Sequence, residues 1–427
     1  MNRTRGMRAA ALLAVPALML AGCSKADRDA AGGEGEGVPV GATAEEYQAA
    51  LGDMEPVELT YQVSASSAES SSGQREEAFA DAVEEMSGGA ITLDIVYGNA
   101  VVPPDEISSA LADGRLDLAH WLTSYHADEM KAFTNLQDAL VSVETSPLQG
   151  EIVSHFTAQE VAFNTPEIME EFDAHGMTVL NPYNTFGSTA LACTSEKGSP
   201  ADFDGDQIRA NAAAQSQQID ALGGSTVTLQ LAETYEGLQR NVLQCTFGSP
   251  TSMVMSGWLE TAGNVYMPKD SSFVSGPGSI VAGSSWDGLP LAAQQLIYDQ
   301  IVAYNTGELG NAFVSAIAAS QASTESGGSG MHFLDSESEE ALKAGNQRIL
   351  DAVAESENLD GQQLLTDVEE SAAKWAGIAE ELGYTDEGDY LDFADWYAGN
   401  GDVMDPEYVG PIVDRFYEEV LTEHRPA

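Results

Sequence analysis

DFDGDQIRANAAAQSQQIDALGGSTVTLQLAETYEGLQRNVLQC, residues 202–245, is the stretch whose reading decides the fold. Gln207–Arg209 closes a short strand, and Ala212 to Leu222 reads as a helix. The helix stops at Gly223-Gly224, since the residue after a last turn adopts a left-handed conformation that glycine tolerates. Val227–Leu231 then reads as strand, Ala232–Asn241 as helix, and VLQCTF (Val242–Phe247) as strand again. Strands that alternate with helices of this length argue for parallel sheets covered by helices, an α/β protein.

The same alternation runs upstream. Leu59, Tyr61 and Val63 alternate with polar residues as in a strand. A polar turn, Ser64 to Gly73, leads into a helix with Phe79, Ala82, Val83 and Met86 on one face, ended by Gly88-Gly89. ITLDIVYG (Ile91–Gly98) is a second strand, a short helix follows from Asp105, and LDLAHW (Leu116–Trp121) is a third strand. Downstream, Leu289-Pro290 opens a long helix with Leu291, Gln294, Ile297 and Ile301 on its inner stripe. Residues 356–427 are acidic and aromatic, with Trp375, Trp396, Tyr397 and Tyr417, and read as a helical extension.

The N-terminus bears on location. Arg3, Arg5 and Arg8 precede an apolar run, Ala10–Leu20, that is too short to span a bilayer and contains Pro16. Leu20-Ala21-Gly22-Cys23 then resembles a bacterial lipoprotein signal, so residues 1–22 are expected to be removed and Cys23 acylated. A buried N-terminal helix is the alternative. Residues 23–54 are expected to form the lipid anchor and a flexible acidic linker, because GGEGEG and its neighbours bury no core. The chain is then extracytoplasmic, anchored to the outer face of the cell membrane.

The 427 residues hold 17 Lys+Arg against 68 Asp+Glu, a formal charge of −51. Such a surface repels nucleic acid and suits screening by high salt, as in a halophilic source. DFDGDQ lacks the glycine and the distal glutamate of a calcium loop, so no metal is expected. With Cys23 acylated, Cys193 and Cys245 remain, either as a disulfide or as two buried thiols. There is no nucleophile elbow, phosphate loop, dinucleotide fingerprint or metal-spaced histidine pair. The expectation is therefore a protein that is not an enzyme and needs no cofactor. His120 and His126 flank a strand end, where a half-buried structural role outweighs a pocket role.

Arg209 ends its strand amid small residues. Ligands of open α/β sheets bind outside the carboxyl ends of strands, where an arginine grips a carboxylate through two parallel hydrogen bonds. An ion pair with Asp202, Asp204 or Asp206 is the competing use.

Thr60 to about Leu350 resembles the solute-binding proteins of TRAP (tripartite ATP-independent periplasmic) transporters. The resemblance rests on residues 79–99, on DEISSALADGRLDLA (105–119), on residues 202–245 with ALGG, Glu233-x-Tyr235 and GLQ, and on WDGLPLAAQQLI (286–297). It implies a two-lobed periplasmic-binding-protein fold of type II-like form, with a long helix bracing both lobes and hinge closure on a small organic acid. Lobe I is expected over 55–187 with part of 250–275, and lobe II over 188–249 with part of 276–310. The long helix and its followers fall at 290–355, with chain crossings near Gly187 and Ser249. The family's carboxylate-binding arginine corresponds to Arg209. Ser249 stands where the family usually has an asparagine, and Thr189 where some members carry a second arginine. Ser64, Trp121, Tyr125 and Asn184 fall near pocket-lining places. The implied partners are TRAP membrane subunits, with the receptor a monomer. An acidic surface lipoprotein that docks a protein through residues 356–427, without binding ligand, is the other reading.

Overall fold

The computed structural model describes residues 35–184, 188–210, 212–325, 327–397 and 406–427. Residues 1–22, Cys23 and Gly187 lie outside these. Strands β1 (Val57–Gln62), β2 (Ile91–Val96), β3 (Leu118–Trp121) and β4 (Thr178–Asn184) precede the first passage between lobes. They are followed by β5 (Ala190–Cys193), β6 (Gln207–Arg209), β7 (Ser225–Val227), β8 (Cys245–Gly248) and β9 (Asn264–Met267). β10 (Gly278–Ala282) and β11 (Gly330–Phe333) complete the set. One sheet has the order β2-β1-β3-β10-β4 and the other β11-β9-β5-β8-β6-β7.

β1 pairs in parallel with β2 and β3, and β6 with β7 and β8, as the alternating pattern requires. The strand after residues 213–222 is earlier than expected, at Ser225–Val227, and Leu231 already begins the next helix. The first lobe's helix, Ser71–Ser87, also starts inside the expected turn, because Ser70 caps it by accepting from the Gly73 amide at 3.0 Å.

Sheet membership corrects the lobe assignment. β9 belongs to the second sheet and β10 to the first, so residues 250–267 build lobe II and the return to lobe I falls between Met267 and Gly278. Ser249 is therefore no crossing. It caps the short helix Pro250–Met255 within lobe II. Periodicity along a strand does not say which sheet receives it; β10 joins lobe I by pairing antiparallel with both β3 and β4.

The long helix also differs from expectation. Leu291–Asp299 and Ile301–Glu325 are separate helices, divided at Gln300. The longer one packs on Ser71–Ser87 of lobe I and on Pro250–Met255 and β11 of lobe II, so it braces both. Gly307 permits the first contact, since a Cβ there would lie 2.9 Å from the Arg75 Cα.

The linker is shorter than residues 23–54. Thr43 and Glu46 form a reciprocal cap on Ala44–Ala50, and Tyr47 and Leu51 enter the lobe I core at 1% and 2% exposure. The Tyr47 hydroxyl donates to Asp299 Oδ2 at 2.5 Å, and Arg425 donates to Asp299 at 2.9 Å and to the Val38 carbonyl at 2.7 Å. Both ends of the described chain thus meet on one buried carboxylate.

The extension is helical over Gly361–Leu382, Phe393–Tyr397 and Pro406–Glu419; Trp375, Tyr384, Phe393, Tyr397 and Phe416 join the lobe I core, and Tyr390 joins the lobe II cluster. Glu160 accepts from Ser371, Lys374 and the Trp375 indole at 2.6, 2.8 and 2.7 Å. Asp386 accepts from the Leu148 and Gln149 amides, which open the helix Gln149–Asn164.

In lobe II, Cys193 and Cys245 face one another in the antiparallel β5–β8 pair and their sulfurs are bonded, across 52 positions of sequence. Two outcomes are expected. Intact-mass analysis of unreduced, alkylated protein should show no added label, and reduction should cost roughly 4 kcal/mol of stability by the chain-entropy estimate. Trp375→Ala should lower stability in urea titration by about 3–5 kcal/mol, the cost of emptying a core indole site, whereas a detachable appendage would show under ~0.5 kcal/mol.

Candidate functional site

Arg209 ends β6, in the parallel group of lobe II whose carboxyl ends face the cleft. It is 1% exposed. Its Nε donates to the Leu229 carbonyl at 2.9 Å, and its guanidinium carbon lies 5.9 Å from the centroid of the Trp258 ring. Trp258 can sit there because β8 ends in Gly248, where a Cβ would come within 2.5 Å of the indole. Tyr125, from lobe I, supplies a hydrogen-bond partner. Burial pulls the Arg209 pKa below its ordinary value, and Tyr125 opposes that.

Two buried donors here have no hydrogen-bond partner among the described residues, Arg209 Nη2 and Trp258 Nε1. A buried, unmatched donor costs about 1–3 kcal/mol and more when charged, so an acceptor placed in this space would be stabilised by both groups. An ionised carboxylate offers acceptors alone.

The space around Arg209 measures about 40 Å³ and is bounded by Thr189, Gln215, Ser249 and Trp258. Beside it lies a second chamber of about 70 Å³, bounded by Ser64, Arg75, His120, Tyr125, Thr251 and Met255. Leu231, Ser252 and Gly276 line both, so the two form one cleft pinched at the middle, with walls from both lobes. In the second chamber Ser64 Oγ lies 3.3 Å from His120 Nδ1. Burial, helped by the Arg75 charge, pulls the His120 pKa down to about 3, so the ring is neutral at pH 7. Thr251 Oγ1 is buried without a hydrogen-bond partner among the described residues.

Arg75 is the second cation at the cleft, and its charge is committed. It bonds Glu76 and Glu308, both buried, and lies 4.8 Å from the centroid of the Tyr304 ring. Burial works to lower the Arg75 pKa, and the two carboxylates more than offset it. Burial also pushes Glu308 up to about 7 against the pull of Arg75.

Four of the expected site residues, Arg209, Ser249, Tyr125 and Ser64, come together on this cleft. Trp121 and Asn184 do not line it. Neighbours on a strand point to opposite faces, so His120 reaches the cleft while Trp121 turns into the lobe I core, 5.9 Å from Phe172 and 4.8 Å from His126 between ring centroids. Asn184 is wholly buried and donates to the Tyr304 hydroxyl. His120 was expected to be structural and instead lines the chamber. Arg75, Thr251 and Trp258 were not foreseen; Arg75 meets Glu308 across 233 positions, and no local pattern announces that.

A larger hollow of about 700 Å³ lies under the extension, but Glu144, Asp351 and Glu369 line it and no cation does. It would repel an acid.

Residues 63–357 match the family described as bacterial extracellular solute-binding protein, family 7 (DctP). Among curated proteins no match is found. Three solved structures share the fold. The Rhodoferax ferrireducens TRAP solute-binding protein with benzoate has a TM-score of 0.66 at 16% identity, over 76% of this chain and 99% of its own. The Chromohalobacter salexigens TRAP protein with D-glucuronate has 0.62 at 18% identity, over 73% and 99%. DctP7 of Bordetella pertussis, a receptor binding pyroglutamic acid, has 0.60 at 18% identity, over 73% and 99%. With the match spanning most of the sequence and a two-lobed α/β fold around a cleft, this chain belongs to the DctP family of extracytoplasmic, TRAP-type solute-binding proteins and is a binding protein, not an enzyme.

Proposed function

We propose that this receptor captures a small organic acid between its lobes, holding the carboxylate on Arg209, and delivers it to TRAP membrane subunits. The observation that carries the reading is the buried guanidinium with an unmatched Nη2, beside the unmatched Trp258 indole, in a cleft walled by both lobes. The benzoate, D-glucuronate and pyroglutamic acid of the three structures each bear a carboxylate, which fits the same grip. A ligand touching both walls binds the closed cleft better than an open one and so shifts the population towards closure. The passage between β9 and β10, residues 268–277, is a place for that bending. Acylation of Cys23 would tether the receptor at the outer face of the membrane; no described helix is long and apolar enough to cross it. Most of the extension's described aromatic residues are buried, in the lobe I core apart from Tyr390 in the lobe II cluster, which speaks against a docking role as its main purpose.

Calorimetry with pyroglutamate, benzoate and D-glucuronate tests the grip. Arg209→Ala should weaken binding of whichever acid is taken by roughly 2–5 kcal/mol with an unchanged circular dichroism spectrum. Arg209→Lys should recover only part, because an ammonium cannot reproduce the fork. Unaltered affinity in the alanine variant would remove Arg209 from the site.

A further inference from the structure

We infer that the ligand carries one carboxylate only, and that the end placed in the Ser64–His120–Thr251 chamber is neutral and hydrogen-bonding. The inference rests on the reading that Arg209 takes the carboxylate, and it adds what the other half of the cleft selects.

The two chambers have opposite electrostatic character although each contains an arginine. Arg209 brings a cation with a free donor. Arg75 brings a cation already bonded to two carboxyl groups, Glu76 and Glu308, and the Tyr61 hydroxyl donates to Glu76 Oε2 at 2.6 Å as well. One positive charge against two acids leaves the cluster behind this wall neutral or negative. Glu308, raised to about 7 by burial, is ionised in part at neutral pH, and its Oε1 has no hydrogen-bond partner among the described residues. His120 is buried and supplies a neutral ring, hydrogen-bonded to the Ser64 hydroxyl. No cation lining the second chamber is left over to neutralise a second carboxylate, whose desolvation would go uncompensated.

What the chamber does offer is neutral. Thr251 has an unmatched hydroxyl and is 3% exposed, and Ser64 and Tyr125 present further hydroxyls. Ala65, Leu122, Leu231 and Met255 supply apolar wall between them. A hydroxyl, amide or lactam on a short carbon skeleton satisfies such a lining. Selection against the dicarboxylate comes from a repulsive element, the Glu76–Glu308 pair, rather than from shape alone.

Matched acids of equal length decide this by calorimetry on the full chain: 4-hydroxybutyrate against succinate, 5-hydroxypentanoate against glutarate, and gluconate against glucarate, with pyroglutamate alongside. The hydroxy or lactam acids should bind, and each dicarboxylate should bind roughly 100-fold or more weakly than its partner, the scale of a like-charge contact in a buried site. Glu308→Gln removes one of the two acids and should narrow that ratio about tenfold; should the variant fail to fold, the ratio in the unaltered protein still decides. A dicarboxylate binding as tightly as its partner, with that binding lost in Arg209→Ala, would overturn the single-carboxylate inference and leave the Arg209 grip standing. Binding of none of these acids, or binding that survives Arg209→Ala, would overturn the grip and the inference with it.

Discussion

A buried guanidinium without a carboxylate beside it is the constraint around which the cleft is arranged. The chain holds 68 acidic residues and 17 basic ones, so a partner for any arginine is easily found. Arg75 has two, and Arg425 shares Asp299 with Tyr47. Arg209 instead is held by a backbone carbonyl, an indole face and a phenol from the opposite lobe. These contacts fix the direction of the fork without cancelling its charge. Gly248, Trp258 and the strand end of β6 all serve that placement, and in the proposed grip the ligand's carboxylate completes it.

The surrounding frame divides unequally. The helix Ile301–Glu325 spans both lobes, the N-terminal helix and the Asp299–Arg425 pair fasten to lobe I, and the extension packs mainly on lobe I but sends Tyr390 into the lobe II cluster with Trp258 and Met253. Tyr390 of the extension donates to Glu151 Oε1 at 3.0 Å, and the Ser188 amide donates to the same oxygen at 2.7 Å, next to the first passage between lobes. The match to the DctP family ends at residue 357, so this reinforcement is an addition outside the matched region.

Much of this was legible in the sequence, for local reasons. Glycine stops and alternating strands located the β-α-β-α-β run, because those signals are written within a few residues of the elements they control. The place of Arg209 at a strand end was legible for the same reason, while its part as a carboxylate grip came from the family resemblance and not from the local residues. The failures were non-local. Whether β10 joins the first sheet depends on its pairing with β3 and β4, which its own residues do not encode. Trp121 and His120 are adjacent, and only the packing of the lobe decides which faces the cleft. The helix Ala44–Ala50 within the expected linker did carry a local signal, the Thr43–Glu46 capping pair, whereas its anchoring through Tyr47 to Asp299, 252 positions away, was not legible. The Arg75–Glu308 pairing, which gives the second chamber its character, is likewise invisible to any motif.

The most direct measurement is a crystal structure of the chain with one of the acids it binds. The account predicts electron density in the cleft between the lobes, with the carboxylate oxygens about 2.7–2.9 Å from the Arg209 guanidinium nitrogens, the range of charge-assisted hydrogen bonds. Density for the acid elsewhere, or in the cleft with its carboxylate turned away from Arg209, would contradict it.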